Sequence, residues 1–187
     1  MFGWLKKKAQ DVAQARADVA AEAADDAHRM FSTVQGALGG MHPSMREDPF
    51  IVGALAMHAA VLAKVISNGQ CPIAVLEGAM VRAMEITFAS LGVDRNAALG
   101  LLFQFKNHPN YTKGTQVVTL IQAARFGHKD LQGDPLLVEA RQRVRSMPKA
   151  FREAFGNSEE EQISSLLTQD LLVAPLKQRY GELWRRQ

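Results

Sequence analysis

From Pro49 to Ile66 the chain is apolar except at His58 and Lys64, and Asn68-Gly69 closes the stretch. The neighbouring segment, 72–91, carries Glu77, Arg82 and Glu85. A membrane span needs about 20 predominantly apolar residues. The first stretch sits at the border of that length and the second is too charged. The pair therefore reads as a buried helical hairpin, around which the remaining chain has to pack, because a helix that is apolar all round must be covered.

The rest of the sequence points the same way. The 187 residues include 27 Ala and 19 Leu but only two Tyr and two Trp. Ala and Leu are strong helix formers, and a sheet protein would use more β-branched and aromatic residues. No segment alternates in the manner of a half-buried strand. The expected fold is all-α: a compact bundle of about seven or eight helices, preceded by a long Ala-rich N-terminal helix.

Helix punctuation supplies the boundaries. Residues 4–38 read as one helix, with a weak apolar stripe through Leu5, Val12, Val19, Met30 and Val34, interrupted at Arg16. Gly39-Gly40-Met41-His42-Pro43 ends it, since glycine takes positive φ and proline cannot continue a helix. Asp48-Pro49 and Asp134-Pro135 are start signals, a capping carboxylate followed by proline where no hydrogen bond is lost. Cys71-Pro72 opens the second arm of the hairpin, and Asp94 caps a helix to about Lys106. Residues 107–114 are expected to form a loop, followed by a helix from Thr115 to Phe126 and a second loop at 127–133. The helix from Asp134 runs to about Ser146. Pro148 starts a short helix to Phe155. Ser158-Glu159-Glu160-Glu161 spells a capping box. Pro175 predicts a break or sharp kink near 172–175. These signals divide the chain into an N-terminal helix with its linker, 1–46, and a bundle, 47–187.

Charge and cysteine content limit function. The net charge is +3, with one cysteine. Cys71 cannot form a disulfide within the chain, and a multi-cysteine zinc site is excluded. Di-iron bundles use Glu-x-x-His pairs, and none occurs. No phosphate-binding glycine loop, metal-ligand spacing or catalytic triad is visible, so neither cofactor nor metal is expected. No apolar run follows Lys6-Lys7-Lys8, so no signal peptide is read and a cytoplasmic location is expected.

The leading expectation is a non-enzymatic helical interaction or regulatory module. It would bind a protein partner, or a second copy, through the N-terminal stripe Leu5, Val12, Val19, Met30 and Val34, or a protein partner through a groove in the hairpin. Peripheral membrane contact through Phe2, Trp4 and Lys6–Lys8 is disfavoured by the five acidic residues between Asp11 and Asp26. The runner-up is nucleic-acid binding through the basic run Arg141, Arg143, Arg145, Lys149 and Arg152, which lacks a recognised nucleic-acid motif. A third expectation is a small-ligand protein or enzyme with a pocket near His58 or near the 107–114 loop, which carries His108 and Tyr111.

Overall fold

In the computed structural model of the chain, which describes the backbone of residues 2–184 and the side chains of residues 6–181, all regular structure is helical. The helices are α1 (Phe2–Leu38), α2 (Pro49–Ile66), α3 (Ile73–Phe88), α4 (Arg95–Phe105), α5 (Pro109–Phe126), α6 (Pro135–Ser146), α7 (Lys149–Glu153), α8 (Glu159–Thr168) and α9 (Ala174–Trp184). Short 3-10 turns lie at Pro43–Glu47, Ala89–Leu91 and Lys129–Leu131.

The caps account for several of these starts. Asp48 accepts a hydrogen bond from the Phe50 amide at 2.9 Å, and Asp134 does the same for Leu136 at 2.9 Å. Asp94 accepts from Ala97 at 2.9 Å. At α8 the capping box is complete, with Ser158 Oγ accepting from the Glu161 amide and Glu161 accepting in return from the Ser158 amide. Each bond satisfies an amide that the helix itself leaves without an acceptor.

Two expectations are corrected. The segment 107–114 is not a loop, because α5 begins at Pro109. His108 caps it, its Nδ1 accepting from the Asn110 amide at 3.1 Å. Proline then occupies the first helical position, as it does after Asp48 and Asp134. Of the break or sharp kink expected near 172–175, the break is absent, because the chain stays helical through Pro175. One π-helical turn, Gln169–Val173, joins α8 to α9, and the Ala174 amide donates to the Gln169 carbonyl five residues back. The wider turn takes up the proline without a break, since a residue gained in the turn removes the register in which the ring would strike the carbonyl of Leu171.

The chain forms two compact units that interleave along the sequence. Unit 1 comprises Met1–Ser32 with Pro43–Thr115, and unit 2 comprises Thr33–His42 with Gln116–Gln187.

In unit 1, α2 and α3 form the hairpin, and α4 packs on both. α1 lies along the hairpin through Ala23, Ala24 and Ala27, which meet Ala59, Leu62, Ala63, Ala79 and Ala83. Interaxial distance depends on the side chains at the contact, and alanine allows close approach. The start of α5 crosses α2 still more closely. A Cβ added at Gly53 would press on the Tyr111 carbonyl oxygen and lie 3.0 Å from its carbon, and one at Gly114 would press on the Phe50 carbonyl oxygen and lie 2.9 Å from the Ala54 nitrogen.

In unit 2, α6 packs on α8. Leu137, Ala140 and Val144 are buried on one helix, and Ile163, Leu166 and Leu167 on the other. Val118, Ile121, Ala123 and Ala124 of α5 are also buried.

Candidate functional site

α1 changes character along its length. Residues 6–18 are exposed without interruption, whereas Ala23, Ala24, Ala27, Phe31 and Val34 are each 1% exposed or less. The partner stripe is split accordingly. Leu5 lies outside the described side chains, as do Phe2 and Trp4. Val12 is 44% exposed, and Val19 and Met30 are partly buried. Val34 has no surface to offer a partner.

Val12, Ala15 and Val19 line one side of a shallow groove of about 230 Å³, and Cys71, Pro72 and Val75 line the other. Sequence patterning supplied the first side. The second could not be found from α1 alone, because Pro72 and Val75 reach the groove through the fold of the hairpin. Cys71 is a half-buried free thiol on that wall.

The basic run is largely neutralised. Arg143 Nη1 lies 2.5 Å from Asp170 Oδ2, Arg145 Nε lies 2.7 Å from Glu159 Oε1, and Lys149 Nζ lies 3.7 Å from Glu153 Oε1. Arg141 donates to the Gln132 side-chain oxygen, a neutral acceptor. Arg152 is partly buried, and its Nε has no hydrogen-bond partner. Phosphate binding depends on lysine and arginine charges that neutralise the nucleic-acid backbone. Here three of the five cations already face carboxylates.

His58 and His108 each take a hydrogen-bonding role in the structure. His58, 2% exposed on α2, places its Nε2 3.2 Å from Asp26 Oδ2 of α1. His108 is exposed and serves as the cap of α5. Tyr111 is half-buried in the first turns of α5, where loss of hydration raises its phenol pKa above the ordinary value.

Asp26 also holds Arg29 at 3.2 Å, one turn away. Beside this pair, His28 Nδ1 lies 3.3 Å from Thr87 Oγ1, and His28 Nε2 lies 3.4 Å from Ser32 Oγ. Ser32 Oγ donates to the His28 carbonyl at 2.9 Å. Its lone pair is then the acceptor for His28 Nε2–H, which leaves Nδ1 to accept the Thr87 hydroxyl proton. The Ser32 proton is spent inside its own helix, and the neighbouring histidine is tied to a threonine, so the cluster is not a nucleophile–base–carboxylate relay. It is a polar seam joining α1, α2 and α3.

Asp26→Ala is expected to cost about 1–3 kcal/mol, because it leaves the buried His58 Nε2 without its carboxylate. Asp26→Asn, which keeps an acceptor oxygen, should cost less. Urea unfolding midpoints of the two variants check the order, and equal midpoints would remove the seam's importance.

Among the described residues no group of three His, Cys, Asp or Glu side chains is placed to hold a metal. α2 is the one helix among them long and apolar enough to cross a membrane, and 67% of it is buried. Compared with protein-family models, with curated proteins and with solved structures, the chain matches none.

Proposed function

We propose that the chain is a non-enzymatic helical interaction module, working in the cytoplasm, whose exposed N-terminal helix segment pairs with a second copy of itself. The observation that carries this reading is the unbroken exposure of residues 6–18 of a helix whose later turns are core. A short helical segment gains little stability in water without a surface to pack on.

Charge chooses the orientation. Lys8, Val12, Ala15, Val19 and Glu22 follow one another at steps of four and three, so they share a face. Around Ala15, Lys8 stands seven residues before and Glu22 seven after. An antiparallel copy centred on Ala15 brings each Lys8 opposite the Glu22 of the other. A parallel copy would oppose lysine with lysine and glutamate with glutamate. The overlap from 8 to 22 is about 22 Å long at 1.5 Å per residue. The groove bounded by Pro72 and Val75 would receive the second helix. The burial of α2 speaks against that helix crossing a membrane, which the cytoplasmic reading requires.

Light scattering on the full chain tests the reading. The expected mass is about twice the 20.5 kDa of one chain. Lys8→Glu or Glu22→Lys alone should weaken association about tenfold, since each puts two like-charge contacts into the pair. The double variant Lys8→Glu/Glu22→Lys should restore it. A monomer at every accessible concentration overturns self-pairing. A dimer indifferent to all three variants overturns the antiparallel arrangement.

A further inference from the structure

Unit 1 carries a second groove, of about 530 Å³, on the other side of α1 from Val12, Ala15 and Val19. Ala13, Ala17, Ala20 and Ala21 of α1 form one wall, and Ala74 and Gly78 of α3 form the other. Ala13, Ala17, Ala21 and Ala74 are exposed, so this apolar lining is open to a partner. Three cations stand at the groove, Arg16, Arg82 and Arg95, and among the described residues no carboxylate lines it. Arg82 reaches Glu85 only at 3.8 Å. Arg16 and Arg95 are exposed and take part in no hydrogen bond or ion pair among the described residues.

Two further features make the groove positive. At 3.6 residues per turn, Asp11, Asp18, Glu22 and Asp25 each point about 90° or more away from the mean direction of the four α1 alanines, whereas Lys6 shares that direction. Arg95 is the first residue of α4, where the helix dipole disfavours a cation. The neighbouring carboxylate, Asp94, is engaged by the Ala97 amide. Helix stability therefore does not account for Arg95, which adds its charge to the positive end of α4 beside the groove.

We infer that this groove docks an acidic amphipathic helix of a protein partner, with apolar side chains on one face and aspartate or glutamate beside them. From Ala13 to Ala21 the wall runs about 12 Å at 1.5 Å per residue, enough for about two turns of a third helix. Alanine and glycine walls allow close approach. The apolar face of the partner fills the groove, and its carboxylates meet the arginines, whose planar guanidinium groups suit them. A nucleic acid would satisfy the cations but gain nothing from alanine walls. A flat bilayer surface does not enter a concave groove. The inference does not rest on self-pairing, which uses the opposite face of α1, although Arg16 and Val75 border both grooves.

Fluorescence anisotropy of the full chain tests this with a labelled helical peptide carrying alanine and leucine on one face and glutamate on both flanks. A second peptide has lysine in place of every glutamate. Binding of the glutamate peptide at about 100 μM or tighter is expected, with the lysine peptide at least about tenfold weaker. Arg16→Glu and Arg95→Glu should each weaken the glutamate peptide about tenfold, and Ala17→Trp, which fills the groove from an exposed position, should do the same. Arg95→Glu should leave the unfolding midpoint unchanged or raise it, because a carboxylate suits the first turn of a helix, so its effect on binding is not a loss of folding. Its oligomeric state by light scattering should equal that of the unsubstituted chain. A change there would assign the groove to self-pairing and overturn the inference. No binding of the glutamate peptide overturns it, as does equal binding of the lysine peptide or binding that survives all three substitutions. Tighter binding of duplex DNA or of phosphatidylserine vesicles than of the peptide, lost in Arg16→Glu and Arg95→Glu, would overturn the partner class.

Discussion

Gly53→Ala and Gly114→Ala are each expected to destabilise the protein by about 2 kcal/mol, although alanine is the better helix former. Both glycines lie inside helices, where exchange for alanine would ordinarily gain about 1 kcal/mol. Here the new methyl group meets backbone, the Tyr111 carbonyl in one case and the Phe50 carbonyl with the Ala54 nitrogen in the other. Backbone atoms of a packed helix cannot swing aside as a side-chain end can. Overpacking of this kind costs typically about 1–3 kcal/mol, and a backbone neighbour puts it at the upper end. The gain in propensity offsets part of it. Gly100, inside α4 with nothing within 4 Å of the place a methyl group would take, supplies the opposite sign. Gly100→Ala should stabilise by about 1 kcal/mol. Urea midpoints at unchanged slope read all three. A stabilising Gly53→Ala would mean that α2 and α5 do not cross closely.

That crossing was not legible in the sequence, where both glycines sit in helical or loop-like surroundings with no marker of what approaches them. The helix starts were legible wherever the cap is a common one. Asp48, Asp94, Asp134 and Ser158 announce their helices by short-range chemistry, and the bonds they make span two or three residues. The start of α5 uses the same device with a histidine in the capping role, and the polar, proline-containing segment 107–114 then resembles a loop. Pro175 shows the converse limit. A proline rule derived for a regular α-helix places a break there, and one π-turn accommodates it.

The candidate sites divide in the same manner. Periodicity identifies Val12 and Val19 as one face, because the face belongs to a single helix. It also carries that face on to Val34, which the fold buries, and only tertiary packing marks where exposure ends. The basic run is visible as composition, but its partners Asp170 and Glu159 come from elsewhere in the chain. His58 stands out as a polar residue in an apolar helix, yet its partner is Asp26, 32 positions earlier. Local signals thus identify the residues, and only the fold determines whether each is free, paired or enclosed.

The division of α1 into an exposed segment and a core segment leads to the second large effect. Phe31→Ala is expected to cost about 3–5 kcal/mol, the range for removing a buried phenylalanine and leaving a cavity. Phe31 is 1% exposed and meets Phe88 of α3 edge to face, with ring centroids 6.3 Å apart. Such a pair adds to the burial of the two rings. Val12→Ala, on the same helix, should change stability by no more than about 0.5 kcal/mol, as surface substitutions do. The two results together decide what α1 is. A helix that served only as an appendage would tolerate both substitutions. A helix packed along its entire length would be sensitive at Val12 as well. Loss at Phe31 with tolerance at Val12 is the outcome that leaves the first turns available for a partner while the later turns hold the fold. Unfolding midpoints measure the stabilities, and light scattering at a concentration where the wild type is monomeric keeps association out of the comparison.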